Sequence, residues 1–177
     1  MESRKNKAES ALFFLDSILS SGIHPLQVLT ALVNQIRKLL LAKGFVKSPQ
    51  GKDWQSTCPY SYFQNKIVPA IVEYDRKLMD QLDKWQTMLN AEAISQTTGS
   101  PKKSKKTKSK ATTDLLIAKN PKNPYPIYLL LKKSDGFSQD KLISAVEVLA
   151  EADKKLKTSS QSPKLVLEKA ILSVCKR

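Results

Sequence analysis

Apolar side chains recur every three or four residues along most of this chain, and that spacing calls for helices. Between residues 8 and 21 the stripe is Ala8, Ala11, Leu12, Leu15, Ile18 and Leu19. Between 25 and 44 it is Leu29, Leu32, Val33, Ile36, Leu39 and Leu40. An α-helix turns once per 3.6 residues, so each set shares one face, whereas a half-buried strand would alternate at every second residue. Only five glycines serve 177 residues, too few for the tight turns of an antiparallel sheet protein. The pattern predicts an all-α chain of about six helices.

Local signals place the ends of these helices. Ser20, Ser21 and Gly22 close the first, with Gly22 suited to the left-handed position beyond a helix C-terminus. Pro25 suits the first position of the second, where its missing N–H costs nothing. A link of about three residues makes the pair an antiparallel hairpin. Gly44 is expected to stop the second helix, and the turn-rich residues 45–59 to form a loop. A long helix is predicted over about 67–92, with Ile67, Ile71, Tyr74, Leu78, Leu82, Trp85 and Leu89 in a seam close to a heptad. That seam is expected to pack within its own domain, with dimerisation the alternative. Pro69 must sit in its first turn or mark a kink.

Residues from about 95 to 123 are rich in Ser, Thr, Lys, Pro and Gly and read as a flexible Lys-rich linker, with one short turn at Leu115–Ile117. Residues 124–134 read as a short apolar helix entered through prolines. Ser138 is placed as the N-cap of a helix carrying Leu142, Val146, Leu149 and Leu156, with Asp140 in its first turn. Ser162-Pro163 opens a last helix with Leu167, Ala170, Ile171 and Val174. The chain is thus read as a single domain over 8–177, interrupted by an insertion at 45–122.

The formal net charge is +14, which points to nucleic acid, another anionic partner or a basic tail. Half of it falls between Ser100 and Lys122, where eight lysines meet one acid, Asp114. Lys102, Lys103, Lys105, Lys106, Lys108 and Lys110 are therefore candidate phosphate contacts, since counterion release needs only clustered positive charge. The competing reading is a solvated tether. The run has no interleaved aromatics, so it does not itself indicate base stacking. Trp54, Tyr60, Tyr62 and Phe63 form either a binding patch or the apolar side of a packed loop.

Signals for catalysis are missing. Gly51-Lys52 is followed by Asp53 and has no glycine five residues before it, so no phosphate-cradling loop is encoded. The single histidine, His24, stands beside Pro25 in a turn, and no Ser-His-Asp or Cys-His set can be built on it. Cys58 and Cys175 have neither metal-site nor disulfide-framework spacing. Residues 1–10 lack the apolar core of a signal peptide, and no apolar run approaches the ~20 residues of a membrane span. The expectation is a soluble, cytoplasmic protein that is not an enzyme. No catalytic, metal-binding or cofactor-binding residue is assigned, and neither a membrane nor a small-molecule substrate is expected as partner.

At this point a resemblance emerges. Residues 11–44 are similar to the first helical hairpin of the collar domain of the DNA polymerase III delta subunit, a component of the bacterial clamp loader. The similarity lies in the turn from Gly22 to Pro25 and in the run Leu32, Gln35, Arg37 and Leu39. Residues 123–172 resemble the C-terminal half of that domain. Pro124-Tyr125 precedes a basic helix, Phe137-Ser138 and Leu142 follow, then Leu149, Asp153, Lys157 and Thr158, and finally Leu167, Glu168 and Ile171. The resemblance covers about 85 of 177 residues, in order, at both ends; residues 45–122 depart from it. It implies an orthogonal helical bundle, non-enzymatic, that joins the other clamp-loader subunits in a ring during DNA replication, with DNA a further partner through the lysine segment. Gln35, Arg37, Asp153, Lys157 and Glu168 are the positions that match the family pattern. It also implies that the chain is a C-terminal piece of a longer protein, with Met1 not the native start. The alternatives are a basic helical nucleic-acid-binding module and the collar domain of another clamp-loader subunit.

Overall fold

A computed structural model describes residues 2–95 and 115–176 of the chain. Its described residues contain helices and no strand. In order these are α1 (Glu2–Ser20), α2 (Pro25–Lys47), a 3₁₀ turn (Pro49–Gly51), α3 (Tyr60–Tyr62), a π-turn (Phe63–Ile67), α4 (Val68–Ser95), α5 (Tyr125–Asp135), α6 (Gln139–Thr158) and α7 (Pro163–Lys176). The all-helical class read from the periodicity is the class observed. The chain divides into two compact units. One is Met1–Lys43 with Lys133–Arg177, the other Gly44–Lys132, so the divisions fall inside α2 and α5.

The first unit is built on one apolar cluster. Leu15 of α1, Leu29 of α2, Leu149 and Ala152 of α6, and Val166, Leu167 and Ala170 of α7 are buried together. Full burial of one such leucine contributes about 2–3 kcal/mol. The turns that bring the helices round are those expected. Gly22 takes φ +85°, a left-handed conformation that a Cβ disfavours. Nδ1 of His24 accepts from the Leu26 N–H at 3.2 Å, so the histidine helps cap α2. Oγ of Ser138 accepts from the Lys141 N–H at 3.3 Å and caps α6. Nζ of Lys43 donates to the Ser134 carbonyl, joining α2 to α5.

The second unit departs from expectation at three points. Gly44 does not end α2. The helix runs on to Lys47 and buries Phe45 completely. A Cβ at Gly44 would lie 3.1 Å from the Tyr74 hydroxyl, so this glycine serves close approach rather than termination. The loop that follows is shorter than read, because the 3₁₀ turn folds back on α2. A Cβ on Gly51 would fall 2.1 Å from the Phe45 carbonyl oxygen, which leaves room only for glycine.

The third departure is the start of the long helix. Helical backbone begins at Tyr60, seven residues earlier than predicted, and passes through the π-turn into α4. There the Val68 N–H donates to the Phe63 carbonyl five residues back. Pro69 has no N–H to offer the Asn65 carbonyl, and a wider turn is one way a helix absorbs such a gap. Phe63, Ile67 and Ile71 are fully buried, but the seam is not buried to its end: Trp85 is 59% exposed and Leu89 65%.

Candidate interaction surfaces

The first unit carries an open apolar groove of about 330 Å³. α1 contributes Phe14 and Ile18, α2 contributes Leu32 and Ile36, and α7 contributes Val174 and Cys175. Phe14 is 62% exposed, and its neighbour Phe13, in edge-on ring contact at 6.0 Å, is 71% exposed. Two phenylalanines left this open on an ordered helix are unusual for a surface with nothing to bind. Asp16, just beyond Phe14 on α1, pairs with Lys164 of α7. The Asp16 carboxylate holds the Lys164 ammonium above its usual pKa, and Glu168 adds to the effect.

The positions taken from the family pattern distribute over this unit. Gln35 and Arg37 are exposed on α2, on either side of the groove residue Ile36. Asp153 and Lys157 form an ion pair of 2.7 Å within α6, with both side chains substantially exposed. Glu168 is half-buried on α7. The structure therefore brings Asp153 to Lys157 and Glu168 near Lys164, while no bond joins either set to Gln35 or Arg37 among the described residues. Phe13 and Phe14 were not singled out in the sequence. The signal was the unbroken apolar run Ala11–Leu15, which supplies more than one helical face.

The second unit holds an aromatic group. Trp54 and Phe63 are buried, edge-on at 5.7 Å, and both meet the ring of Tyr128 from α5. The Tyr128 hydroxyl donates to the Cys58 carbonyl at 3.1 Å, tying α5 to the preceding loop. Tyr60 stacks on Phe63 and meets Tyr125 edge-on at 5.8 Å. Tyr62 lies apart, beside Asp53 and Pro59 on a shallow cleft. Trp54 and Phe63 pack, as one of the two readings had it, while Tyr60 and Tyr62 remain partly open. Tyr125 and Tyr128 were missed as members because they lie more than 60 residues away in the chain.

A buried carboxylate orders the return of the chain to this unit. Asp75 of α4, 5% exposed, accepts from the backbone N–H groups of Ile117 (3.2 Å) and Ala118 (2.8 Å). Ile117 and Ala118, at the short turn read within the linker, are thus docked on α4. The six lysines from Lys102 to Lys110 lie outside the described residues.

Among the described residues no group of three or more His, Cys, Asp or Glu could hold a metal ion, and no helix is long and apolar enough to cross a membrane. Residues 100–174 match the family model described as the DNA polymerase III delta subunit, C-terminal domain. No curated protein and no solved structure matches the chain.

Proposed function

We propose that this chain is the collar-type assembly domain of the delta subunit of a bacterial DNA polymerase III clamp loader, acting by packing against its neighbours rather than by catalysis. The match over residues 100–174 carries the reading, because it takes in all of α5 and α6 and nearly all of α7. The partners are the other clamp-loader subunits, met in the cytoplasm. The groove of α1, α2 and α7 supplies a contact face of the right chemistry: aromatic and aliphatic anchors with charge at the margin are what assembly interfaces use.

The test is size-exclusion chromatography with light scattering on this chain mixed with the other clamp-loader subunits of its source. A shared peak at the summed mass is expected. Phe14→Glu should abolish that peak while leaving the circular dichroism of the free chain unchanged. If Phe14→Glu assembles like the parent chain, the groove is not the contact face. If the parent chain itself does not join an assembly that lacks delta, the clamp-loader reading falls.

A second reading, a basic nucleic-acid-binding module, is favoured by the concentration of positive charge in one segment. Replacing Lys102, Lys103, Lys105, Lys106, Lys108 and Lys110 by glutamine should flatten the salt dependence of binding. On duplex DNA the logarithmic slope should fall by about 0.9 for each phosphate that is no longer neutralised.

A further inference from the structure

The open tyrosines of the second unit raise a question that packing alone does not answer. Tyr125 is 54% exposed and Tyr60 is 37% exposed, yet neither is loosely held. Tyr60 lies on the buried Phe63 and against Tyr128 at 5.5 Å, and Tyr125 leans edge-on against Tyr60. Two partly open rings therefore sit on a packed aromatic floor. A tyrosine held this way loses little conformational entropy when something stacks on it, because its two side-chain torsions are already set.

The segments that build the group, 54–72 and 115–132, contain Lys66, Lys119, Lys122 and Lys132 and no carboxylate, with Asp53, Glu73 and Asp114 at their borders. Nζ of Lys132 sits 4.7 Å from the centre of the Tyr128 ring, which fixes one ammonium at the edge of the platform. The Asp75 clamp also anchors Ala118 to this unit. Flat aromatic faces beside lysines are the pairing that holds unpaired bases and their phosphates, and it tolerates any base because every base has a π-face.

We infer that Tyr60 and Tyr125, with Lys132 at their edge, form a stacking site for single-stranded nucleic acid. The inference deepens the nucleic-acid reading and rests on it. It adds a preference for unpaired strands that the lysine run could not provide, since clustered charge alone favours duplex at least as well.

Fluorescence anisotropy of the full chain with labelled dT20, U20 and a 20-base-pair duplex tests it. The parent chain should bind a single strand more tightly than the duplex. Tyr125→Ala should weaken single-strand binding by about tenfold and leave duplex binding unchanged, and Tyr125→Phe should retain binding. The dT20 and U20 arms separate DNA from RNA as the strand held. As a check on the unaltered protein, a dT20 carrying 5-iododeoxyuridine should photo-crosslink to Tyr60 or Tyr125. Equal binding of strand and duplex with no effect of Tyr125→Ala, or crosslinks away from both tyrosines, would overturn the stacking site while leaving the lysine reading intact. No binding of any nucleic acid would remove both.

Discussion

The Ala118 N–H donates to Oδ2 of Asp75 at 2.8 Å across 43 positions of sequence, and the Ile117 N–H joins it on the other oxygen. One buried carboxylate thus satisfies two backbone donors of a segment that belongs to no helix. Asp75→Ala leaves both donors without a partner in an interior that water does not reach. Each unsatisfied donor costs roughly 1–3 kcal/mol, so the loss should be about 3 kcal/mol, read from urea unfolding. Asp75→Asn keeps one acceptor and should lose less. Equal stability of Asp75→Ala and the parent chain would refute the clamp.

The same residue gives a pH dependence with a definite sign. Burial lifts the Asp75 carboxyl above its ordinary range, and the two N–H bonds pull it only part of the way back. A carboxyl raised in the folded state holds its proton more tightly there than in the unfolded chain. Its stabilising share is full below the unfolded value near ~4 and is lost as pH rises through the folded value. The stability gap between the parent chain and Asp75→Asn, which does not titrate, should therefore narrow as pH is raised from about 3 through that window. A widening gap would mean that the hydrogen bonds outweigh the burial.

Two glycines should respond to alanine for different reasons and by different amounts. Gly22 has nothing within 4 Å of a new Cβ but holds φ +85°, so Gly22→Ala should cost about 1 kcal/mol of backbone strain. A Cβ on Gly51 would meet the Phe45 carbonyl oxygen at 2.1 Å, a clash with main chain that no rotamer relieves. Gly51→Ala should cost about 3 kcal/mol or more. Thermal unfolding of the two variants side by side would show the order, and the reverse order would contradict the packing described.

The two thiols should separate cleanly. Cys175 is exposed on the apolar groove and Cys58 is buried. Ellman's reagent should titrate one thiol in the native chain and two in denaturant. If the groove is the assembly face, a bulky maleimide on Cys175 should block the shared chromatographic peak, whereas a modified chain that still assembles would move the contact elsewhere.

What could be read from the sequence follows the range of the forces involved. Helix faces and ends are written locally: the spacing around Leu15 and Leu29, the cap at Ser138 and the turn at Gly22 each depend on a few neighbouring residues. Gly44 was misjudged because the group it approaches closely, the Tyr74 hydroxyl, lies 30 residues on. The seam from Ile67 to Leu89 was read correctly as one face. Periodicity cannot say how far a partner extends along a face, and Trp85 and Leu89 are left open. Asp75 carries no signal of its own in the sequence, because its partners are backbone groups, which no side-chain pattern announces. The aromatic group was half visible for the same reason, since Tyr125 and Tyr128 come to it from a different helix.

The π-turn at Phe63–Ile67 fixes where the rest of α4 points. Each residue added to or removed from a helix rotates everything beyond it by about 100°. The turn ends eight residues ahead of Asp75, so it sets the bearing of that carboxylate. Removing one residue between Phe63 and Ile67 would leave a longer, more regular helix that still hides oily residues on one side. It would also swing the carboxylate about a quarter of the way round, away from the Ile117 and Ala118 amides. The returning chain would then lose its mooring without any change in the residues that tie it down.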